Sequence, residues 1–297
     1  MLTQCCFRPL AGMNGLLEGV VRQQNLPSVL VAHVLSPQPG ETVIDMCAAP
    51  GGKTAHLAAL MQCEGLLVAV DRSRRKVLEF AESLESELGI PLTKPGSGEL
   101  RFLAPLALDA STLCPDGAEA GAEEGRKPTA AEVLGAAEPR RDAPGLLGVT
   151  AFPPASFDRV LLDGPCSALG QRPRLTIEFS GGADELTAIP RLQKRLADTA
   201  VRLLRAGGTL AYSTCTVSPL ENEAMVAAIL ASHPCMELCA AEPLGCGAVG
   251  VAGYGLSEEQ CAMVQRFDPA TEAELTAGEH RGGDSIGFFV AKLRKKP

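Results

Sequence analysis

Short runs of apolar residues recur along the chain, and four of the six have an aspartate at or near their end, before a longer stretch of mixed polarity begins. The runs are TVIDMC (42–47), LLVAVD (66–71), LRFLAPLALD (100–109), FDRVLLD (157–163), GGTLAYSTC (207–215) and IGFFVAKL (286–293). Continuous apolar strands that alternate with helices are typical of a parallel sheet covered on both faces. The pattern therefore predicts an α/β fold with a doubly wound, mostly parallel sheet and helices on both of its faces.

Three of the intervening stretches have the spacing of amphipathic helices. They are KTAHLAALM (53–61), RRKVLEFAESLESEL (74–88) and IPRLQKRLADTAVRLLRAGG (189–208). The last one ends in a glycine pair, which suits the end of a helix. Each stretch is amphipathic enough to pack against one face of the sheet.

Two segments fall outside this pattern. Residues 1–25 show no clear periodicity, and we expect a peripheral lead-in to one domain that spans residues 26–297. Residues 115–151 are rich in Ala, Gly, Pro and Glu, a composition that buries little apolar surface. We expect this segment to be a disordered surface insertion.

The composition fits a globular protein and leaves the partner open. Hydrophobic residues make up 46% of the 297 residues, which is enough for a sizeable core. The net charge of −8 has the wrong sign for binding nucleic acid through bulk electrostatics. The basic clusters DRSRRK (71–76) and AKLRKKP (291–297) are most simply solvated surface side chains. Tryptophan is absent, so a surface on which bases stack is not favoured.

The cysteines indicate a reduced protein. There are eleven, an odd number, with no CxxC pair, and the start MLTQCCFRPL lacks the regions of a secretion signal. We therefore expect a cytoplasmic or nuclear protein without a structural metal. No apolar run approaches the roughly 20 residues that span a bilayer, so we expect no membrane partner. We also expect a monomer.

The loop after the first predicted strand, DMCAAPGGKTAHLA (45–58), favours a cofactor site. Ligands of open parallel sheets bind beyond the carboxyl ends of the strands, and small residues let the backbone approach them. The loop matches neither GxxxxGK[ST] nor GxGxxG, which argues against a nucleoside triphosphate or NAD. Asp71 is placed either to accept ribose hydroxyls or to cap a helix, and Asp109 to accept the adenine amino group or to lie on the surface. These features together suit S-adenosylmethionine.

Two thiols and a carboxylate are predicted to meet at the same edge of the sheet. The fourth strand ends in DGPCS, with Asp163 and Cys166, and the fifth ends in YSTCT, with Cys215. A lone cysteine is usually a small buried apolar residue. We expect this of Cys63, Cys114, Cys235, Cys239, Cys246 and Cys261. The shared position of Cys166 and Cys215 at strand ends favours chemistry instead.

Three motifs carry a family resemblance. DMCAAPGGKT (45–54), LLDGPCSALG (161–170) and YSTCTVSPLENE (212–223) resemble the cofactor loop and the two cysteine motifs of the Sun-domain (NOL/NOP/Sun, RsmB-like) RNA cytosine-5 methyltransferases. The stretches 24–41, 170–175, 265–269 and 284–293 resemble one branch, family member six, which methylates transfer RNA near the acceptor end and some messenger RNA. The resemblance implies a seven-stranded Rossmann-like methyltransferase sheet and RNA, most simply transfer RNA, as partner.

The resemblance also implies a covalent mechanism. Carbon 5 of cytosine is a poor nucleophile until a thiolate adds to carbon 6, and the family assigns that thiolate to Cys215. Asp163 would hydrogen-bond the N3 and amino edge of the base. Lys53 would favour thiolate formation and orient the base. Cys166 is assigned to release of the enzyme from the methylated base.

Cofactor contacts follow from the same correspondence. They are Cys47, Ala48, Ala49, Pro50, Gly51, Gly52, Lys53, Asp71, Asp109 and Asp163. The chain departs from the family pattern at Gly164, where Ala is usual, and at Ala168, where Gly is common. That branch also carries an RNA-binding PUA domain ahead of the catalytic core, and residues 1–25 are too short to supply one.

Other functions fit parts of this pattern. A catalytically silent protein that binds S-adenosylmethionine or a partner is one, although Asp163, Cys166 and Cys215 are all present. A ribosomal RNA cytosine-5 methyltransferase is another. A small-molecule or protein methyltransferase is disfavoured, because methylation of oxygen or nitrogen needs no pair of thiols.

Overall fold

One large sheet organises the molecule. The computed structural model describes residues 24–115, 128–135, 138–140, 143–171, 183–243, 245–268 and 286–297. The strands are β1 (Thr42–Asp45), β2 (Leu66–Asp71), β3 (Leu103–Ala107), β4 (Pro139–Arg140), β5 (Ala143–Leu147), β6 (Phe157–Asp163), β7 (Leu204–Thr214), β8 (Met236–Cys239), β9 (Gln265–Phe267) and β10 (Phe288–Lys295). The helices are α1 (Leu26–Leu35), α2 (Gly52–Leu60), α3 (Arg74–Leu88), α4 (Ala130–Leu134), α5 (Ala183–Leu203), α6 (Glu223–Ser232) and α7 (Glu258–Cys261).

The order of strands in the large sheet is β3-β2-β1-β6-β7-β10-β8, with β9 also paired to β10. The first five strands in that order are parallel, and β10 is antiparallel to its neighbours. This arrangement confirms the doubly wound, mostly parallel sheet. From β1 the chain continues to β2 and β3 on one side of β1, and it later crosses to β6 and β7 on the other side. Ligands bind in sheets of this kind at such a switch point, beyond the carboxyl ends of the strands. Among the described residues no helix is long and apolar enough to cross a membrane.

Alternating side chains of the central strands supply two cores. Ile44, Val68 and Val160 are fully buried on one face, and Val43 and Leu161 are fully buried on the other. Each such side chain contributes about 1.5–3 kcal/mol when it leaves water. Because both faces are covered, the strands read as continuous apolar runs, and their polar residues collect at the ends.

The register brings the ends of the strands together. Asp45 at the end of β1 is opposite Leu161 of β6, and Asp163 at the end of β6 is opposite Ser213 of β7. The carboxyl ends of β1, β2, β6 and β7 therefore form one edge, on which the predicted site residues lie.

The boundary between α5 and β7 differs from the prediction of a helix that ends at the glycine pair Gly207–Gly208. The helix ends at Leu203, and both glycines lie within the span of β7. The Lys295 ammonium, which comes from the last strand, donates to the carbonyls of Val201 at 2.9 Å and Leu204 at 2.7 Å. Lys295, which is distant in sequence, thus stabilises the end of α5 at Leu203, whereas the local sequence predicted an end at the glycine pair.

The prediction of a disordered insertion over residues 115–151 is wrong where the structure describes the segment. Helix α4 begins with a capping box between Thr129 and Glu132, and its Val133 is buried against the core. Strands β4 and β5 form a hairpin, and Leu147 is also buried in the core. The average composition concealed these apolar positions. Residues 116–127 lie outside the described part of the chain, as does the lead-in up to residue 23.

Candidate active site

Two donors hold the carboxylate of Asp163. The Lys53 ammonium, from the first turn of α2, lies 2.6 Å from Asp163 Oδ2. The hydroxyl of Ser213, on the neighbouring strand β7, donates to Asp163 Oδ1 at 2.6 Å. Each carboxylate oxygen has a second lone pair, so both still have capacity to accept a bond from a ligand. Lys53 also lies over the Phe288 ring, with its nitrogen 5.4 Å from the centroid.

The thiols of Cys166 and Cys215 are in contact, with their sulfur atoms 3.2 Å apart. The side-chain amide of Gln171 donates to the Cys215 sulfur at 3.4 Å. The hydrogen bond from Cys166 lowers the pKa of the Cys215 thiol below its ordinary value, with Gln171 and Lys53 adding to the effect against burial and Asp163. The bond to Cys215, and then burial, raises the pKa of Cys166. These opposite shifts favour Cys215 over Cys166 as the thiol of the pair that ionises first.

Close backbone contacts fix the Cys215 end of this pair. The amide of Gly170 donates to the Cys215 carbonyl at 3.1 Å, and the amide of Gly287 donates to the Gly170 carbonyl at 2.7 Å. A Cβ on Gly170 would lie 2.1 Å from the Gly287 carbonyl oxygen. Glycine is required at residue 170 because the two backbones approach too closely for any side chain.

The loop after β1 is held by its own hydrogen bonds. The amides of Ala48 and Gly51 donate to the carbonyls of Val70 at 2.8 Å and Ala48 at 2.7 Å. Ala49 donates to the Asp71 carboxylate at 3.3 Å. These loop amides are thus engaged within the protein, which differs from the expectation of exposed amides. The first turn of α2 still offers amides without intrahelical acceptors.

Asp45 lies beneath this loop. It is 1% exposed and accepts a hydrogen bond from the Thr54 hydroxyl at 2.8 Å. Burial raises the pKa of Asp45 to about 7, against the lowering effect of Thr54. Its place under the loop indicates a role in holding the start of α2 and not in direct contact with a ligand.

Asp71 and Asp109 lie at the ends of neighbouring strands and have different local partners. Asp71 accepts from the amide of Ser73 at 2.9 Å as well as from Ala49. Ser73, and not Asp71, is the N-cap of α3, which leaves Asp71 suited to a ribose. Asp109 is exposed and caps a short 3₁₀ helix, where bonds from the Ser111 hydroxyl and amide lower its pKa.

These residues fit S-adenosylmethionine. A half-buried carboxylate at the end of β2, open amides at the start of α2 and a loop of small residues match a ribose and a carboxylate tail. Gly51 has a φ of 91°, and a Cβ there would lie 3.0 Å from the Phe80 Cβ, so the turn requires glycine. Cys47 belongs to the same loop, and burial, then the charge of Asp45, raises the pKa of its thiol so that it stays protonated.

The other cysteines are mostly what the sequence indicated. Cys114 and Cys261 are buried, and Cys63, Cys239 and Cys246 are partly buried. Cys235 is exposed, so its expected burial is wrong, because it follows the end of α6 in a surface turn.

The two departures from the family pattern, Gly164 and Ala168, differ in the backbone strain that they cause. A Cβ on Gly164 would lie 3.5 Å from Leu162 and 3.6 Å from Leu196, which is ordinary contact, so the site has room for alanine. Ala168 has a φ of 53°, a left-handed conformation that favours glycine. The loop after β6 therefore stores strain at Ala168 and none at Gly164.

Sequence reasoning missed several residues of the site. Ser213 and Gln171 lie inside or beside the quoted motifs, but only the register and the turn bring them to Asp163 and Cys215. Glu221 and Gln193 form a buried network behind Cys166. No sequence pattern marked Glu221, because its burial is visible only in the structure.

The chain is similar to known RNA methyltransferases. The family described as 16S rRNA methyltransferase RsmB/F matches residues 32–94 and 141–294. The tRNA (cytosine(72)-C(5))-methyltransferase of Mus musculus is 39% identical over 295 residues, which cover 95% of this chain and 54% of that protein. The rRNA (cytosine-C(5))-methyltransferase of Arabidopsis thaliana is 36% identical and matches 97% of this chain and 55% of its own length. The chain thus spans about half the length of these curated relatives.

A solved structure supports the same relationship. The crystal structure of NSun6 from Pyrococcus horikoshii with SFG, an analogue of S-adenosylmethionine, superposes with a TM-score of 0.67 at 30% identity. The match covers 98% of this chain and 57% of the other.

Proposed function

Because the chain belongs to the RsmB/F (Sun-domain) family of RNA methyltransferases, we propose that it transfers a methyl group from S-adenosylmethionine to carbon 5 of cytosine in transfer RNA. The observation that carries the proposal is the contact between Cys166 and Cys215 at 3.2 Å, beside an aspartate held by Lys53. Methyl transfer to oxygen or nitrogen needs no such pair of thiols, whereas carbon 5 of cytosine does.

The first chemical step belongs to Cys215. Its thiolate adds to carbon 6 of the base, and the ring becomes an enamine whose carbon 5 is nucleophilic. Asp163 accepts a hydrogen bond from the exocyclic amino group and so orients the base for this addition. Lys53 and Ser213 keep this carboxylate oriented throughout.

The bound cofactor supplies the methyl group from its sulfonium centre. Gly52 and Lys53 in the first turn of α2 would hold its carboxylate tail, Asp71 its ribose and Asp109 its adenine amino group. Lys53 connects the two halves of the site, because it belongs to the cofactor loop and binds Asp163, which faces the base.

The release step belongs to Cys166. It takes the proton from carbon 5, the carbon 5–carbon 6 double bond re-forms, and the bond between carbon 6 and Cys215 breaks to return the thiolate. The charge and hydrogen bond of Cys215 hold the pKa of Cys166 high in the free protein. Both influences vanish once Cys215 is bonded to the base and only burial remains, so Cys166 can pass its own proton to solvent and then take the proton from carbon 5.

Cytosine 72 of transfer RNA is the proposed target. Relatives from Mus musculus, Homo sapiens and Pyrococcus horikoshii, at 39%, 39% and 32% identity, are tRNA (cytosine(72)-C(5))-methyltransferases. A base near the end of the acceptor stem also costs little free energy to unstack and move into a pocket. Ribosomal RNA is the second candidate, favoured by the Arabidopsis thaliana relative and the family description.

A methyl-transfer assay with labelled S-adenosylmethionine distinguishes these substrates. We expect 5-methylcytidine in a transfer RNA transcript and none when its cytosine 72 is replaced by uridine. If only ribosomal RNA were labelled, ribosomal RNA and not transfer RNA would be the substrate. Cofactor binding without label in any RNA would favour a silent binding protein.

A further inference from the structure

A buried network holds both neighbours of Cys166. The hydroxyl of Ser167 donates to Glu221 Oε1 at 2.6 Å, and the Ser167 amide donates to Glu221 Oε2 at 2.9 Å. The amide nitrogen of Gln193 donates to the Pro165 carbonyl at 3.0 Å and to Glu221 Oε2 at 3.2 Å. The residues immediately before and after Cys166 are therefore tied, directly or through Gln193, to one carboxylate.

The same network reaches the segment that carries Cys215. The hydroxyl of Thr216, the next residue after Cys215, lies 2.8 Å from the Ser167 hydroxyl. The Glu221 carbonyl accepts a bond from the Tyr212 hydroxyl at 2.6 Å, which anchors it to β7. Glu221 thus joins the loop after β6 to the loop after β7, and each of these loops contributes one sulfur atom of the pair.

A carboxylate suits this position because it accepts several bonds at once and has no proton to place. Glu221 is 3% exposed, and Gln193 is 1% exposed. A charge buried this deeply is costly unless several donors surround it, and apolar side chains of similar size often stabilise such a site as well. Its use here is therefore better explained by orientation than by stability alone.

We propose that Glu221 is a positioning residue that sets the separation and relative orientation of the Cys166 and Cys215 thiols. Its effect on catalysis rests on the function proposed above, whereas its effect on the geometry of the two thiols does not. Glu221 touches neither sulfur atom, so it acts through Ser167 and Gln193.

The Glu221→Gln substitution tests the effect of Glu221 on catalysis and its effect on the geometry of the two thiols separately. It keeps the size of the side chain and replaces one acceptor oxygen with a donor, which then faces the donors of Ser167 or Gln193. We expect kcat to fall on the order of 10- to 100-fold, because a displacement of about 1 Å at a reacting group costs about 100-fold. The KM values for RNA and cofactor should stay close to those of the native chain. The fraction of protein trapped as covalent adduct should rise, because Cys166 performs the release.

The decisive measurement needs neither RNA nor cofactor. Diamide oxidises two neighbouring thiols to a disulfide, taking up two electrons and two protons, and mass spectrometry quantifies the peptide that links residues 166 and 215. We expect this link to form several-fold more slowly in Glu221→Gln than in the native chain. The matched control is Glu64→Gln, an exposed glutamate on a turn before β2, which should react at the native rate.

A milder pair of variants covers the case in which Glu221→Gln does not fold. Ser167→Ala removes one bond to Glu221 together with the contact to Thr216, and Ser86→Ala removes an exposed hydroxyl of α3 that bonds to the Glu82 carbonyl of its own helix. Slower linkage in Ser167→Ala but not in Ser86→Ala supports the proposal. Native linkage rates in both Glu221→Gln and Ser167→Ala overturn it, whatever their activity. A native chain that methylates no RNA would contradict the proposed function and leave the linkage result standing.

Discussion

The sulfur of Cys215 lies 3.2 Å from the sulfur of Cys166 and also accepts a hydrogen bond from the Gln171 side-chain amide at 3.4 Å, so the two thiols of the site are not equivalent. The contact with Cys166, then Gln171 and Lys53, lowers the pKa of Cys215, and the contact with Cys215 raises the pKa of Cys166. The family resemblance assigns the nucleophile to Cys215, and the hydrogen bonds give a physical reason for that assignment.

The reactivity of Cys215 should depend on Cys166. We expect iodoacetamide to alkylate Cys215 with a midpoint below the ordinary thiol pKa of 9.0, because donors stabilise its thiolate. Cys166→Ala removes the principal donor and should move that midpoint to higher pH. Peptide mass spectrometry across a pH series measures both. The exposed Cys235 provides the control, since Cys235→Ala should leave the Cys215 profile unchanged. An identical midpoint in Cys166→Ala would contradict the assignment.

Asp163 and Asp109 should fail in different ways when their charge is removed. Asp163→Asn should lower kcat about 100- to 1000-fold, as expected when a group that stabilises developing charge is lost. Asp109→Asn should raise the KM for S-adenosylmethionine with kcat nearly unchanged, since this exposed residue is placed only at the adenine end. Steady-state kinetics with varied cofactor distinguishes the two. Equal effects on kcat would mean that Asp163 has no special relation to the base.

Two glycines in the loop after β6 should respond differently to alanine. Gly170→Ala places a Cβ 2.1 Å from the Gly287 carbonyl oxygen, and the backbone must move, at a cost of about 1–3 kcal/mol or more. Gly164→Ala meets only ordinary contacts at 3.5 and 3.6 Å and should change stability by less than about 0.5 kcal/mol. Denaturant unfolding of both variants tests this. Similar losses in the two would show that the close approach at Gly170 is not limiting.

Asp45 should make stability depend on pH. Burial raises its pKa from 3.8 to about 7, so the folded chain holds this proton more tightly than the unfolded chain. Its contribution is fully present below about pH 4 and is lost as pH rises towards 7, at on the order of 1 kcal/mol per pH unit.

Asp45→Asn carries no titrating proton, so its stability relative to the native chain should increase from pH 4.5 to pH 7.5. Urea unfolding at several pH values measures the difference, and Glu64→Gln is the exposed control. A difference that does not change with pH would mean that Asp45 is ionised in the folded protein throughout this range.

The sequence predicted the parallel sheet and the edge on which the site lies, because strands buried on both faces are continuous apolar runs with polar ends. It did not predict where α5 ends, since Lys295 stabilises that end from more than ninety residues away. Nor did it predict helix α4, whose apolar residues lie within a polar composition. Helix α1 was likewise not predicted: most of its residues are apolar, so the sequence shows no alternation to mark it.

The site divides in the same way. The motifs contain Asp163, Cys166 and Cys215, and their places at strand ends were predictable. The roles of Ser213 and Glu221 were not, because they depend on the β6–β7 register and on the folding of one loop against another. Sequence spacing also cannot show that the amides of Ala48 and Gly51 are engaged within the loop.

The most direct test of the account is the covalent intermediate itself. Native protein, Cys215→Ala and Cys166→Ala are each incubated with transfer RNA and labelled S-adenosylmethionine, and the products are resolved on a denaturing gel. We predict labelled RNA from the native chain, neither product nor adduct from Cys215→Ala, and a stable protein–RNA adduct from Cys166→Ala. An adduct that forms in Cys215→Ala, or that fails to accumulate in Cys166→Ala while methylation continues, would contradict the two-thiol mechanism.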